Sequence, residues 1–130
     1  LGTLHTTGGV ESIDRIVDVF PATQQNQIRL QVSLVLEGVI SQFLMPKASG
    51  NGRVAAFEVI LASSAIRNLI RNGKSHEIPS YMQMGKDKGM QTFEWSLVDL
   101  VKRELITQEE AMSKTQKPQE FATLMMRDQK

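Results

Sequence analysis

Ile40-Ser41-Gln42-Phe43-Leu44-Met45, then Pro46-Lys47-Ala48-Ser49-Gly50-Asn51-Gly52, then Arg53-Val54-Ala55-Ala56-Phe57-Glu58-Val59-Ile60-Leu61-Ala62, reads as strand, turn and strand. β-Branched, aromatic and other apolar residues fill both flanks. The middle is Pro, Ser, Asn and two Gly, the residues that accept the backbone angles of tight turns. A β-hairpin over 40–62 is therefore predicted, with its strands at 40–45 and 53–62. Working outward, the period changes from two to nearly four. Upstream, Ile28, Val32, Val35, Leu36 and Val39 form the inward stripe of one helix. Val10, Ile13, Ile16, Val17 and Phe20 form that of an earlier one, closed by Pro21. At the beginning, Leu1 to Leu4 reads as the end of a buried strand running into the loop His5-Thr6-Thr7-Gly8-Gly9.

Downstream of the hairpin the chain becomes helical. Ser64 is placed to cap a helix that turns Ile66, Leu69 and Ile70 inward and stops at Asn72-Gly73. A second helix is expected from Ser75 to about Lys86, with Pro79 tolerated near its start. Phe93, Leu97, Leu100 and Val101 define a third. Thr107-Gln108-Glu109-Glu110 is a capping box for a fourth, with Ile106 and Ala111 as its hydrophobic staple. After Lys114 the chain is polar until Phe121, Leu124 and Met125, a trio that suits either a docking turn or a frayed tail. A soft boundary falls near residue 62, between a strand-bearing half and a helical half.

Bulk composition narrows the function classes. The 130 residues suit one domain with a modest core. A net charge of +1 makes no case for a nucleic-acid partner. With no cysteine there is neither a disulfide nor a thiolate zinc site. No apolar run is long enough to span a membrane, so a transmembrane protein is not expected. The chain opens on Leu1 rather than Met, inside an apparent strand, which leads us to expect a piece of a longer protein.

Gly73-Lys74-Ser75 looks like the end of a phosphate-binding loop. Such a loop needs a glycine five positions before its last one and a strand leading in. Asn68 occupies that position and the approach is helical, so this is read as a helix end, leaving no loop here to cradle ATP phosphates. His5 stands where an apparent strand stops, the place where ligands gather in open α/β sheets; it is either a phosphate or water contact or a surface loop histidine. His5 and His76 are too far apart in sequence to suggest a metal pair. Arg67, Arg71 and Lys74 share one helix face by spacing, either a solvated face or one that binds an acidic partner. Glu58, inside an apolar strand, either turns away from its neighbours or is a paired buried carboxylate, with no second acid close in sequence. Asp14 and Asp18 form a like-charge pair one turn apart, which is tolerated when exposed or separately paired.

Several stretches together resemble the PilT family of secretion-superfamily ATPases. Gly2-Thr3-Leu4-His5-Thr6, with Ile13-Asp14-Arg15-Ile16-Val17-Asp18-Val19-Phe20-Pro21 after it, is similar to that family's histidine box and following helix. Gly52 to Val59 resembles the next strand. Ala65-Ile66-Arg67-Asn68-Leu69-Ile70-Arg71 resembles the run that marks the retraction ATPases. Gln83-Met84-Gly85 and Gly89-Met90-Gln91-Thr92 fit the family's C-terminal helical region. The likeness extends over residues 1–114. Asn72 stands where the family has Glu, and Thr7-Gly8-Gly9-Val10 replaces its usual Asn-Ser or Ser-Ser and small residues.

The resemblance implies an α/β fold. Residues 1–62 would be the end of a RecA-like αβα core, 63–114 a helical C-terminal subdomain and 115–130 a tail. It further implies a cytoplasmic homo-hexamer at the inner-membrane pilus base, working with the pilus platform proteins. That motor uses ATP and Mg2+ to drive type IV pilus retraction and twitching motility. The phosphate loop and magnesium carboxylates of such motors precede the histidine box, so this stretch alone is expected to be inactive and to hold no nucleotide. His5 would sense the terminal phosphate, and Ala65, Ile66, Arg67, Asn68, Leu69, Ile70 and Arg71 would transmit the nucleotide state. A pilus-assembly or type II secretion ATPase and a non-catalytic interaction module are the alternatives, and the Ala65–Arg71 run favours retraction.

Overall fold

The computed structural model describes residues 1–84 and 89–127. It is a mixed α/β structure with one antiparallel two-stranded hairpin and seven α-helices among the described residues. In chain order these are α1 (Gly9–Asp18), α2 (Gln25–Val35), β1 (Gly38–Pro46), β2 (Arg53–Leu61), α3 (Ser64–Arg71), α4 (Ile78–Met84), α5 (Phe93–Lys102), α6 (Gln108–Lys114) and α7 (Pro118–Arg127). Short 3-10 turns at Ala22–Gln24 and Ser75–Glu77 lead into α2 and α4. Gly50 (φ 81°) and Gly52 (φ 84°) take the left-handed backbone in the hairpin turn, where Lys47 N–H donates to the Gly52 carbonyl at 3.1 Å.

Two compact units are built from the chain: Leu1–Ser41 with Val59–Met90, and Gln42–Glu58 with Gln91–Lys130. The first packs Ile13, Val32, Ile60, Ile66, Ile70, Ile78 and Met82 into its core, with Val10, Ile16, Ile28 and Leu69 against it. The second gathers Met45, Ala56, Phe93, Leu97, Val98, Ile106, Phe121 and Leu124, with Phe43 and Trp95 alongside. The division crosses the hairpin.

Some expectations are corrected. Leu1–Leu4 carries no strand and is exposed. A strand needs a neighbour for its N–H and C=O groups, and no described strand lies beside it. α1 ends at Asp18, so Phe20 leaves the helix and is more than a third exposed. In α2 the inward stripe is Ile28, Val32 and, just past the helix end, Leu36; Val35 is 73% exposed and Val39 belongs to β1. The cap of α3 is Ser63, not Ser64: its hydroxyl accepts from Ile66 N–H at 3.3 Å. The stretch from Ser75 divides into a 3-10 turn and α4, and Gly85 and Lys86 lie outside the described residues.

The trio left open at the C-terminal end belongs to a helix. Phe121 and Leu124 of α7 are buried in the second core. α6 is capped by Thr107, whose hydroxyl accepts from Glu110 N–H at 3.0 Å, between the buried Ile106 and Ala111.

Candidate functional site

The residues singled out by sequence, Glu58 apart, lie on the first unit. His5 is exposed, without regular structure, just before a segment fastened to the start of α1. Glu11, three residues into the helix from its cap Gly8, reaches back to accept from Thr7 N–H (3.2 Å) and from the Thr7 hydroxyl. Thr6 and Ser12 hydroxyls meet at 2.5 Å, and Ser12 also donates to the Gly8 carbonyl at 2.9 Å. The bonds from Thr7, its hydroxyl chiefly, hold Glu11's carboxyl below the usual range, with Arg15 adding to them. The helix start thus fixes the chain two residues after His5. Among the described residues His5 itself makes no hydrogen bond or ion pair.

α3 carries the Ala65–Arg71 run. Ile66 and Ile70 are fully buried one turn apart and anchor its inner face, as expected. The two arginines, expected to project together, diverge. Arg67 turns toward the end of α2, donating to the Ser33 carbonyl at 2.7 Å and standing 3.8 Å from Glu37. A cation at a helix C-terminus satisfies a carbonyl with no intrahelical donor and complements the helix dipole. Arg71 stays exposed and donates to Asn68 Oδ1 at 2.8 Å, within its own helix. One arginine is therefore a tie between helices, and the other is free to face outward.

Gly73-Lys74-Ser75 is a helix end in three dimensions too. Lys74 N–H donates to the Leu69 carbonyl (2.8 Å) and Gly73 N–H to the Ile70 carbonyl (3.1 Å), with Gly73 at φ 70°. This paired closure is the Schellman motif. The N–H groups that a phosphate cradle would offer are already bonded to carbonyls, and the Ser75 hydroxyl donates to Asp14 Oδ1 at 2.5 Å. Gly73-Lys74-Ser75 is therefore not a phosphate-binding loop. Among the described residues no group of three or more acidic or histidine side chains is arranged to hold a metal ion. Asp14 and Asp18 are both exposed, and Asp14 has its partner in Ser75.

The second unit holds a feature that the sequence reading passed over. Glu94, in the first turn of α5, is only 6% exposed, and its Oε2 has no hydrogen-bond partner among the described residues. Burial pushes its carboxyl up to about 7, reinforced by Glu120 and Glu58, against Lys117 and a hydrogen bond from Thr115. Glu58 lies on the same face of β2 as the buried Ala56, half-buried. The second acid absent nearby in sequence is supplied in space by Glu94. A signal was available: Glu94, Leu97, Val98 and Val101 repeat at helical spacing, so the apolar stripe of α5 contains an acid.

No family model matches the chain. A twitching motility protein of Neisseria gonorrhoeae is 49% identical over 115 residues, 88% of this chain and 31% of that protein. The type IV pilus retraction ATPase PilT of Pseudomonas aeruginosa is 47% identical over 120 residues, 92% of this chain and 35% of that protein. A crystal structure of the pilus retraction motor PilT with bound ADP superposes with a TM-score of 0.79 at 47% identity, covering 92% of this chain and 33% of that one. Among the described residues no helix is long and apolar enough to cross a membrane. The chain spans about a third of the length of these relatives, and by both sequence and fold it is a homologue of the PilT pilus-retraction ATPases.

Proposed function

We propose that this chain is part of a hexameric cytoplasmic motor, seated at the inner-membrane pilus base, that couples ATP hydrolysis to type IV pilus retraction. The single observation that carries the reading is the close match to PilT proteins along most of the chain. Within the motor, residues 1–62 close a RecA-like core and the helices after them form the C-terminal subdomain. His5 contacts the terminal phosphate. The Ala65–Arg71 helix passes the nucleotide state to the pilus platform proteins, with Arg67 holding it against α2 and Arg71 meeting the partner. We assign the loop that cradles the ATP phosphates and the Mg2+ carboxylates to the rest of the motor, since Gly73-Lys74-Ser75 closes a helix and offers no such cradle.

Kinetics of the full-length protein test this. A donor aimed at charge that develops in the transition state contributes to turnover more than to ground-state binding. His5→Ala should therefore lower kcat about a hundredfold with nucleotide affinity nearly unchanged. Unaltered turnover would leave His5 a surface loop residue.

A further inference from the structure

The sequence carries two Asn-Gly pairs, Asn51-Gly52 and Asn72-Gly73. Such pairs share an intrinsic reactivity. The backbone nitrogen of the glycine can attack the side-chain carbonyl of the asparagine, because no Cβ on the glycine hinders the approach. The new N–C bond closes a succinimide and expels the side-chain amide as ammonia. Water, the co-reactant, then opens the ring at either carbonyl and leaves aspartate or isoaspartate. Nothing is oxidised or reduced. The attacking nitrogen must be free, so a hydrogen bond from the glycine N–H opposes the step. A bond that holds the asparagine side chain opposes it too.

The fold treats the two pairs differently. Asn72-Gly73 is held at both groups that must react. Gly73 N–H donates to the Ile70 carbonyl at 3.1 Å, and Asn72 Nδ2 donates to Asn68 Oδ1 at 3.2 Å. The Arg29 side chain also lies on this turn, its Nε 3.6 Å from where a Cβ on Gly73 would stand. Asn51-Gly52, in the hairpin turn of the second unit, has neither restraint. Among the described residues Gly52 N–H donates no hydrogen bond and the Asn51 side chain makes none. Only the Asn51 N–H is engaged, donating to the Ser49 hydroxyl at 3.3 Å. Both residues are exposed, and nothing among the described residues lies within 4 Å of a Cβ position on Gly52.

We infer that Asn51 is a site of spontaneous deamidation in the folded protein, and that the fold protects Asn72 from the same reaction. Each event puts a carboxylate in place of a neutral amide, two residues before the exposed Arg53. Isoaspartate also routes the main chain through the former side chain, adding one carbon between Asn51 and Gly52. The bond from Lys47 N–H to the Gly52 carbonyl (3.1 Å) closes the turn across that point, and the longer path breaks it.

Peptide mapping by tandem mass spectrometry tests this on the full-length protein, aged in mildly alkaline buffer made with oxygen-labelled water. Asn51 should convert about tenfold faster than Asn72, with label entering as the ring opens. In urea, where both turns are unfolded, the two rates should converge. Asn51→Gln, whose longer side chain closes the ring far more slowly, should leave its peptide unlabelled. Equal conversion of the two sites in the folded protein, or an Asn51 that converts only in urea, would overturn the inference. A difference that persists unchanged in urea would overturn it as well, since the fold would then not be the cause.

Discussion

In the first unit, five isoleucines, a valine and a methionine form the core, and among the described residues no buried side-chain polar atom there lacks a hydrogen bond. Ser12 bonds to the Gly8 carbonyl, Ser33 to the Leu30 carbonyl and Ser75 to Asp14. The half-buried Arg67 ends on a carbonyl at the close of α2. The second unit is equally apolar at its centre yet admits Glu94 with an oxygen left over. Side by side, the two show that a satisfied hydroxyl leaves a core indifferent to pH, whereas an unpaired buried carboxyl makes it respond.

The largest effect that sharpens this contrast comes from Glu94→Gln. The folded carboxyl titrates near 7, above the ordinary 4.5. Below pH 4.5 both folded and unfolded chains are protonated, and Glu94 costs no ionic penalty. Between 4.5 and 7 the unfolded chain ionises while the folded one keeps its proton, so stability falls as pH rises; above 7 the loss is complete. Glu94→Gln should thus raise stability at pH 8 by about 1–3 kcal/mol relative to its effect at pH 4, read by urea denaturation at each pH. An equal effect at both pH values would erase the distinction between the units.

A smaller effect separates two adjacent serines in the first unit. Ser63→Ala removes the hydroxyl that accepts from Ile66 N–H and should cost about 1 kcal/mol. Ser64→Ala, at the first helical position, should be near neutral. Thermal unfolding of the pair decides it, and a reversed order would return the cap to Ser64.

The smallest effect lies in a turn that both units build. α3 and α5 end in the same two-bond closure, with Gly73 at φ 70° in one and Glu104 at φ 60° in the other. Glutamate lacks glycine's tolerance of that backbone region. Glu104→Gly should therefore stabilise by about 0.5–1 kcal/mol, and Gly73→Ala should cost a similar amount. Denaturant midpoints that move the other way at either site would show that the two closures are not equivalent.

Much of the architecture was legible in sequence, because hairpin, caps and staples are written in neighbouring residues. The turn Pro46–Gly52, the Thr107 cap and the Gly73 stop needed only local chemistry. The errors arise where a partner is distant or two neighbours serve equally. Ser63 and Ser64 both carry a capping hydroxyl, and backbone angles alone decide between them. Arg67 and Arg71 share a helix face by spacing, but the Ser33 carbonyl draws Arg67 aside. Leu1–Leu4 has strand composition without a strand to pair with among the described residues. Glu94 is legible as an acid on an apolar stripe, but only folding brings Glu58 and Glu120 to it. Of the candidate site, the anchors Ile66 and Ile70 followed from periodicity, whereas His5 rests on the family resemblance.

The structure points to Arg71 as the variant that asks about coupling most cleanly, because Arg67→Gln would also untie α3 from α2. An exposed arginine held only within its own helix contributes well under about 1 kcal/mol to stability. Coupling, by contrast, requires a contact that differs between nucleotide states. In the full-length protein, ATPase rate and pilus retraction should therefore be measured together on Arg71→Gln. Near-normal hydrolysis with retraction lost is the result we predict; normal retraction at normal hydrolysis would contradict the assignment of Ala65–Arg71 as the coupling helix.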